Sequence, residues 1–345
     1  MKTKVIISVI FSIAVVFAAI ALGSVRVTPA DIWGVIWYKI FGGALPDDIT
    51  QGTVSIIWYM RLPRSLLAFI VGGALAVSGA VMQGVLRNPL ASSFTLGVSS
   101  GASLGAGIII LYGITIPVIS ALTLPLVGFI FGLGTLVLVI TFSSRLDRQM
   151  QSNTIILTGM VFSLFVNGVT TLLSALAREQ LQRLIFWQMG SFMLRGWLPV
   201  YILTPAVIVG IFIIFRYNRE LDIMTFGDER AVSFGVNIKR VKWILLMTAA
   251  ALTGSAIAFV GVVGFIDLVA PHVVRKIFGA THRLVIPMSA VFGGAFMVLC
   301  DLVARTIATR ELPVGAITAM IGAPFFAYIF FIGRKKGLSA ATGAH

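Results

Sequence analysis

Long apolar runs, separated by shorter polar stretches, dominate the pattern of this chain. A helix needs about 20 apolar residues to cross about 30 Å of hydrocarbon, and most of the runs reach that length. The runs do not alternate polar with apolar positions, so helices rather than strands are predicted. The pattern therefore predicts an all-α integral membrane protein with ten spans. These are residues 5–24, 64–85, 94–112, 116–141, 154–176, 199–216, 243–262, 264–278, 284–307 and 314–333.

Two of the ten runs allow a second interpretation. The first follows Lys2 and Lys4 and stays apolar to Gly23, as in a signal peptide, but it is long for a signal-peptide core. We therefore expect it to be retained as the first transmembrane helix. The eighth run is short and contains Asp267 and Pro271. Because proline has no N–H group to donate, we expect no regular helix there.

Composition agrees with a chain that has lipid as its solvent. Of the 345 residues, 11% are charged, which is less than half the fraction in a soluble domain. The net charge of +14 does not indicate nucleic-acid binding, because the basic residues lie in the loops between apolar runs. If the N-terminus is cytoplasmic, about two thirds of the Lys and Arg residues fall on the cytoplasmic side, which predicts cytoplasmic termini. We expect a single transmembrane domain over residues 1–345.

Small residues recur every four positions on two neighbouring runs. Residues at this spacing share one helix face and allow close approach of helix backbones. Glycine and alanine are also common in membrane helices generally, but two unbroken stripes favour tight packing. The stripes are Gly72, Ala76, Ala80 and Gly84 on the second span, and Gly97, Gly101 and Gly105 on the third.

One hydrophilic loop, residues 216–242, has the pattern of a short docking helix. Asp228 and Glu229 suit the positive end of a helix dipole, and Gly235 suits its termination. An apolar side is unexpected in a solvated loop, so we expect the helix to dock against the membrane face or a partner protein. The residues of this apolar side are Phe226, Ala231, Val232 and Phe234.

Few charged residues lie in or near the spans. Arg61 and Arg64 lie at the start of the second span, on the extracytoplasmic side, where the positive-inside tendency disfavours arginine. They either snorkel to lipid headgroups or bind carboxylates of a partner. Asp301 and Arg305 lie four residues apart, so they can pair on one helix face, and a functional role is the alternative.

Catalytic signals are absent from the sequence. It contains no GxxxxGK[ST] phosphate loop, no HExxH, no GxSxG and no metal-ligand cluster. We therefore expect a chain that is not an enzyme and binds no metal or cofactor. A proton-coupled transporter usually has more buried carboxylates, so an energy source outside this chain is favoured. A secondary transporter driven by an ion gradient remains the alternative, and an intramembrane enzyme or a scaffold is less consistent with the pattern.

Nine short sequence motifs form a distinctive set between about residues 55 and 330. They are RLPRS from Arg61, GGALAVSGAVMQGVLRNPL from Gly72, LGVSSGA from Leu96, FGDERA from Phe226, GVVGFI from Gly261, APH from Ala270, DLVAR from Asp301, ELPVG from Glu311 and GAPF from Gly322. This set resembles the FecCD permeases, the membrane subunits of ABC importers for ferric siderophores, haem and cobalamin.

The resemblance implies a ten-transmembrane-helix ABC importer permease in the bacterial cytoplasmic membrane, with a ferric siderophore as the expected cargo. It implies a second permease subunit, identical or paralogous, an extracytoplasmic substrate-binding protein, and two ATPase subunits at which ATP and Mg²⁺ act. The surrounding partner is membrane lipid, and no nucleic acid is implied.

The resemblance also implies roles for particular residues. Arg61, Arg64 and Arg305 would face acidic residues of the binding protein, and Ser152 and Asn153 match the position of the family's cytoplasmic gate. The loop helix would couple to the ATPase through Phe226, Gly227, Asp228, Glu229, Ala231, Phe234 and Gly235. The chain departs from the family in having Asp267 where glycine is common, and in a slightly short segment between Arg305 and Glu311.

Overall fold

The computed structural model describes residues 1–23, 25–147, 149–176 and 180–342, and this described part contains helices and no strand. Of the charges counted for orientation, Arg148 and Arg178 lie outside these residues. The α-helices are α1 (Lys2–Ala21), α2 (Pro29–Phe41), α3 (Gln51–Ser55), α4 (Leu62–Leu86), α5 (Val98–Tyr112), α6 (Ser120–Leu146), α7 (Ser152–Leu176), α8 (Leu181–Gln188), α9 (Leu198–Arg216), α10 (Asn218–Met224), α11 (Asp228–Ser233), α12 (Ile238–Val260), α13 (Ile266–Phe278), α14 (His282–Thr306) and α15 (Val314–Thr342). A π-helix (Ile56–Arg61) precedes α4, and a 3₁₀ turn (Pro117–Ile119) precedes α6.

A helix lies at each of the ten predicted spans. Seven helical segments within the described residues are long and apolar enough to cross a membrane, namely α1, the continuous segment of α3, the π-helix and α4, α6 with the 3₁₀ turn before it, α7, α9, α12 and α14. The apolar part of α15 and the whole of α5 are shorter, and α13 has 13 residues. The chain is therefore a multi-pass, all-helical membrane protein, and the count of ten spans stays a prediction.

The central helix of the bundle is α4, which is buried along almost its whole length. Its main neighbours are α14, α12 and α13. A Cβ atom at Gly72 would lie 2.3 Å from the carbonyl oxygen of Gly293 on α14, so the two backbones are in contact and the predicted close packing is confirmed. On α5, a Cβ at Gly101 would lie 2.5 Å from the Phe131 oxygen of α6. Gly97, with φ of +87°, lies before α5, which begins four residues later than predicted.

The prediction that Pro271 prevents a regular helix is wrong. Pro271 lies inside α13, where its missing N–H leaves the carbonyl oxygen of Asp267, four residues earlier, without the usual helical donor. The Gln83 side chain of α4 donates from Nε2 to that oxygen at 3.1 Å. A Cβ at Gly79 would lie 1.9 Å from the same oxygen, so glycine at that position allows α4 to approach. Tertiary contact thus replaces the missing helical hydrogen bond.

The segment between α1 and α4 contains structure that the span pattern did not predict. Thr28 accepts from the backbone N–H of Asp31, and the Asp31 carboxylate accepts from the backbone N–H of Thr28, which together form a capping box that starts α2. The helix ends at Gly42 in the left-handed conformation. Ile32 and Val35 on α2 are buried against the start of the bundle. Helices α3 and α8 were also not predicted.

Candidate functional site

Three predicted docking residues, Arg61, Arg64 and Arg305, lie together at the end of the bundle where α1 ends and α4 begins. Arg64 forms a bidentate pair with Asp301: its Nη2 lies 2.8 Å from Oδ1 and its Nε lies 3.0 Å from Oδ2. The Nη1 atom of Arg64 lies 2.8 Å from Oε1 of Glu311. We call these five residues the arginine cluster.

The other two arginines of the cluster bind the last turn of α1. Arg61 is 6% exposed, and its Nη1 donates to the carbonyl oxygens of Ile20 at 2.9 Å and Ala21 at 3.0 Å. Arg305 donates to the carbonyl oxygen of Ala19. The last carbonyls of a helix have no partner within the helix and carry its negative dipole end, so cationic donors stabilise them.

Asp301 is the anion that organises the arginine cluster. It is 1% exposed, and its nearest cation is Arg64 of α4. The predicted pair with Arg305, four residues along α14, is present only as a contact of 3.8 Å between Nε and Oδ2. The local pairing that the spacing predicted is therefore secondary to a contact between two helices.

A cleft of about 240 Å³ opens at the arginine cluster. Besides the cluster residues, its walls include Tyr59, Phe192 and Arg195. Four arginines and the carboxylate of Glu311 line this cleft. A second carboxylate, that of Asp301, contacts Arg64 from the buried side. The local charge is positive, and Glu311, whose side chain is 35% exposed, is the accessible anion.

The loop at the opposite end of α4 folds into α10 and α11. Helix α11 begins at Asp228, as predicted, and Gly235 follows it with φ of +80°. Gly227 precedes α11 with φ of +111°, a conformation that favours glycine. Glu229 is exposed, and the Asp228 carboxylate lies 2.8 Å from Nζ of Lys242 and 3.3 Å from Nη2 of Arg87.

The predicted apolar side of α11 is only partly a surface. Phe226, Val232 and Phe234 are 62–74% exposed. Ala231, which was predicted to share this side, is fully buried in the core of the chain. A protein that docks on α11 would therefore contact the two phenylalanines and the valine, whereas Ala231 anchors the helix to the bundle.

The two predicted gate residues lie beside α11. Ser152 and Asn153 begin α7 and line a cleft of about 700 Å³ together with Phe226, Gly227 and Asp228. The structure thus brings the predicted gate and the predicted coupling helix to one cleft, although they are more than 70 residues apart in the sequence.

The turn before this gate is closed by Asp147. Its carboxylate accepts from the backbone N–H of Gln151 at 2.8 Å and from that of Gln149 at 2.9 Å. These two hydrogen bonds lower the pKa of the Asp147 carboxyl below its ordinary value, and the Thr154 hydroxyl and the charge of Lys242 act in the same direction. The turn therefore behaves as a hydrogen-bonded unit.

A third cleft of about 440 Å³ opens on the side of the bundle between α5 and α7. Polar walls are unusual between transmembrane helices, because polar side chains are costly in hydrocarbon. The polar residues are Ser99, Ser100 and Ser103 of α5, Ser163 and Asn167 of α7, and Gln188 of α8.

Comparison with known proteins decides the family. The family model described as the FecCD transport family matches residues 10–331. The chain belongs to the FecCD transport family.

Members of the FecCD family resemble this chain over most of its length. An uncharacterized ABC transporter permease protein of Bacillus subtilis, YvrB, is 39% identical over 94% of this chain and 92% of its own. The cobalamin import system permease protein BtuC of Halobacterium salinarum is 36% identical over 87% of this chain and 81% of its own. Other relatives are named as permeases for Fe(3+) dicitrate, hemin, iron(3+)-hydroxamate and molybdate.

A solved structure of a metal-chelate type ABC transporter in an inward-facing conformation has the same fold as this FecCD chain. Its TM-score is 0.84 at 27% identity, and the alignment covers 96% of this chain and 99% of that one. The chain is therefore a transport component of the ABC permease type.

Some residues of these sites were not predicted from the sequence. In the sequence analysis Lys242 and Arg195 entered only through the count of basic residues, Lys242 on the cytoplasmic side and Arg195 on the extracytoplasmic side. Glu311 was recognised only as part of the run ELPVG. No local pattern marks Lys242, because one of its partners is 92 residues away.

Proposed function

We propose that this chain is the membrane-spanning permease subunit of an ATP-driven importer for ferric siderophores. It receives the chelate from an extracytoplasmic binding protein and releases it to the cytoplasm. The observation that carries the proposal is the short helix α11 beside the predicted gate: Val232 on the helix and Phe226 and Phe234 on either side of it are exposed to solvent. In a family of ABC permeases, a short helix with exposed apolar residues is suited to binding in a groove on the ATPase subunit.

The proposed topology has ten spans with cytoplasmic N- and C-termini. The three helices that fall short on length or hydropathy are α5, α13 and the apolar part of α15. Much of α5 and α13 is buried by neighbouring helices, so these two have limited contact with lipid. This orientation places α11 in the cytoplasm and the arginine cluster outside, and it follows the positive-inside tendency.

The binding protein docks at the arginine cluster in this proposal. Although Arg61, Arg64 and Arg305 are held by partners within the chain, the cleft keeps a net positive charge that attracts carboxylates on a partner.

A second permease subunit faces the polar cleft between α5 and α7, which forms part of the route of the chelate across the membrane. Two ATPase subunits bind the α11 side, and ATP and Mg²⁺ act there rather than on this chain.

The cargo follows from the substrates for which the relatives are named. Relatives named for iron chelates outnumber other chemistries among those described above, which supports a ferric siderophore. The cobalamin and molybdate relatives show that the family's scaffold accepts other cargo. Selectivity in this proposal lies in the binding protein.

Co-purification and uptake test the function. The chain is expressed with a candidate ABC ATPase from the same genome, purified, and reconstituted into vesicles for uptake of radiolabelled ferric chelates. We expect a stable complex and uptake that stops without ATP and is unaffected by ionophores. Uptake that needs an ion gradient and no ATPase would instead establish a secondary transporter.

Docking at the arginine cluster is tested through its accessible anion. Glu311→Gln removes the carboxylate that competes with the binding protein, so its affinity for the reconstituted transporter should rise, and affinity should fall with added salt. Asp48→Asn, an exposed change in the segment between α1 and α4, is the control. Affinity that is insensitive to both salt and Glu311→Gln would rule out this docking site.

A further inference from the structure

Lys242 is a charged side chain in an unusual position, because it is fully buried near the start of α12. Removing an ammonium group from water is costly unless it is paired. Its Nζ donates to two oxygens: Oδ2 of Asp228 at 2.8 Å and the carbonyl oxygen of Met150 at 2.8 Å. Lys242 thus bridges Asp228 and Met150, so a displacement of one partner is transmitted through the ammonium group to the other.

The two partners of Lys242 belong to different functional elements. Asp228 is the first residue of α11, the proposed coupling helix. Met150 lies two residues before Ser152, where the predicted gate and α7 begin. Met150 has φ of +52° and a buried side chain, so its backbone is held in a sparsely populated conformation by its surroundings.

We call residues 149–151, which precede α7, the gate turn. Hydrogen bonds to Asp147 hold this turn together, so it can move as one unit. The carboxylate of Asp147 binds the N–H groups of Gln149 and Gln151, on either side of Met150, and contacts the Thr154 hydroxyl in the first turn of α7 at 3.4 Å. A force applied at the Met150 carbonyl is therefore passed to the start of α7. By contrast, α11 makes its principal contacts with α10 and α12, so Lys242 on α12 provides the route from α11 to the gate.

Arg87 gives the same carboxylate a second attachment. It ends α4 in the left-handed conformation with φ of +48°, and its Nη2 lies 3.3 Å from Oδ1 of Asp228. The two oxygens of one carboxylate at the start of α11 thus reach α4 through Arg87 and the gate turn through Lys242.

We propose that Lys242 is a positioning residue that transmits the movement of α11 to the gate turn at Met150, and so links ATP-driven motion to opening of the cytoplasmic gate. The proposal rests on the proposed function, since it assumes that α11 binds an ATPase. It requires that the gate turn has two arrangements whose equilibrium α11 biases.

The test uses the complete transporter in vesicles with the variant Lys242→Met, which keeps the chain length and removes the donor. Uptake and ATP hydrolysis are measured in the same vesicles. We expect the ATPase to stay bound and to hydrolyse ATP, while uptake per ATP falls at least about tenfold. Lys239→Met, an exposed lysine one turn earlier on α12, is the control and should match the parent. Equal uptake per ATP in the two variants would overturn the proposal.

A second measurement needs no substitution and therefore does not depend on the folding of a variant. Amide hydrogen exchange of the parent complex is compared with and without bound ATP. We expect exchange in residues 149–154 and in residues 224–236 to change together. A response in residues 224–236 alone would show that α11 moves without the gate turn and would overturn the relay. A parent chain that binds no ATPase refutes the proposed function instead.

Discussion

Replacing Arg64 by methionine should destabilise the protein more than any single change on its exposed surface. Asp301 is 1% exposed and takes its closest contacts, between 2.8 and 3.1 Å, from Arg64. Without Arg64 the nearest cation in the cluster is Arg305, at 3.8 Å from Asp301 Oδ2. Removing one partner of a buried ion pair costs about 3–5 kcal/mol, because the remaining charge stays desolvated. We expect a loss near the lower end of that range.

A double-mutant cycle separates this explanation from simple loss of packing. Asp301→Asn alone should cost about 1–2 kcal/mol, because it removes charge-assisted hydrogen bonds while Arg64 keeps Glu311. In Arg64→Met/Asp301→Asn no buried carboxylate is left without a cation, because position 301 is neutral and Glu311, which also loses Arg64, is partly exposed to water. The double variant should therefore be more stable than Arg64→Met alone, with an interaction energy of about 2 kcal/mol.

The assay is reversible unfolding of the purified chain in mixed micelles with a rising fraction of denaturing detergent, followed by circular dichroism. Arg310→Met, an exposed arginine at the same end of the bundle, is the control and should change stability by less than about 0.5 kcal/mol. If the two single effects add to within about 0.5 kcal/mol, the two side chains are energetically independent and the reasoning fails.

Two further predictions concern the packing of α4. Gly72→Ala should destabilise the bundle by about 1–3 kcal/mol, because its Cβ would lie 2.3 Å from the Gly293 oxygen of α14. Gln83→Leu should cost about 1–3 kcal/mol, because it leaves the Asp267 oxygen without its donor and the Arg275 guanidinium without the Oε1 acceptor of Gln83. Both losses are measured by the same unfolding assay.

Each of these variants has a matched comparison. A Cβ at Gly134, on α6, would meet no atom within 4 Å, so Gly134→Ala should be neutral or slightly stabilising, since alanine favours helix. Equal effects of Gly72→Ala and Gly134→Ala would contradict the close packing of α4 and α14. For Gln83 the comparison is with the parent, because Gln83→Glu would form a charge pair with Arg275, which already donates to Gln83 Oε1; stability of Gln83→Leu equal to that of the parent would contradict a role for this side chain in completing α13.

The candidate sites were only partly predictable from the sequence. The position of α11 could be predicted, because the signals that start and end a helix are local. Asp228 and Glu229 mark its start, and Gly235 marks its end. The direction of Ala231 could not, since burial depends on which surface α10 and α12 present. The pairing of Asp301 with Arg305 followed from helix spacing, but Arg64 on another helix lies closer, and only the packing of α4 against α14 brings it there.

By itself the sequence determined that this chain is a membrane protein, where its long apolar helices lie, and to which family it belongs, because run length, charge content and local motifs are properties of neighbouring residues. Only the tertiary structure decided how polar groups are satisfied inside the bundle. Gln83 completes the helix at Pro271, and Lys242 joins α11 to the gate turn. Such pairings join residues far apart in the chain, so they depend on three-dimensional distance, which no local pattern encodes.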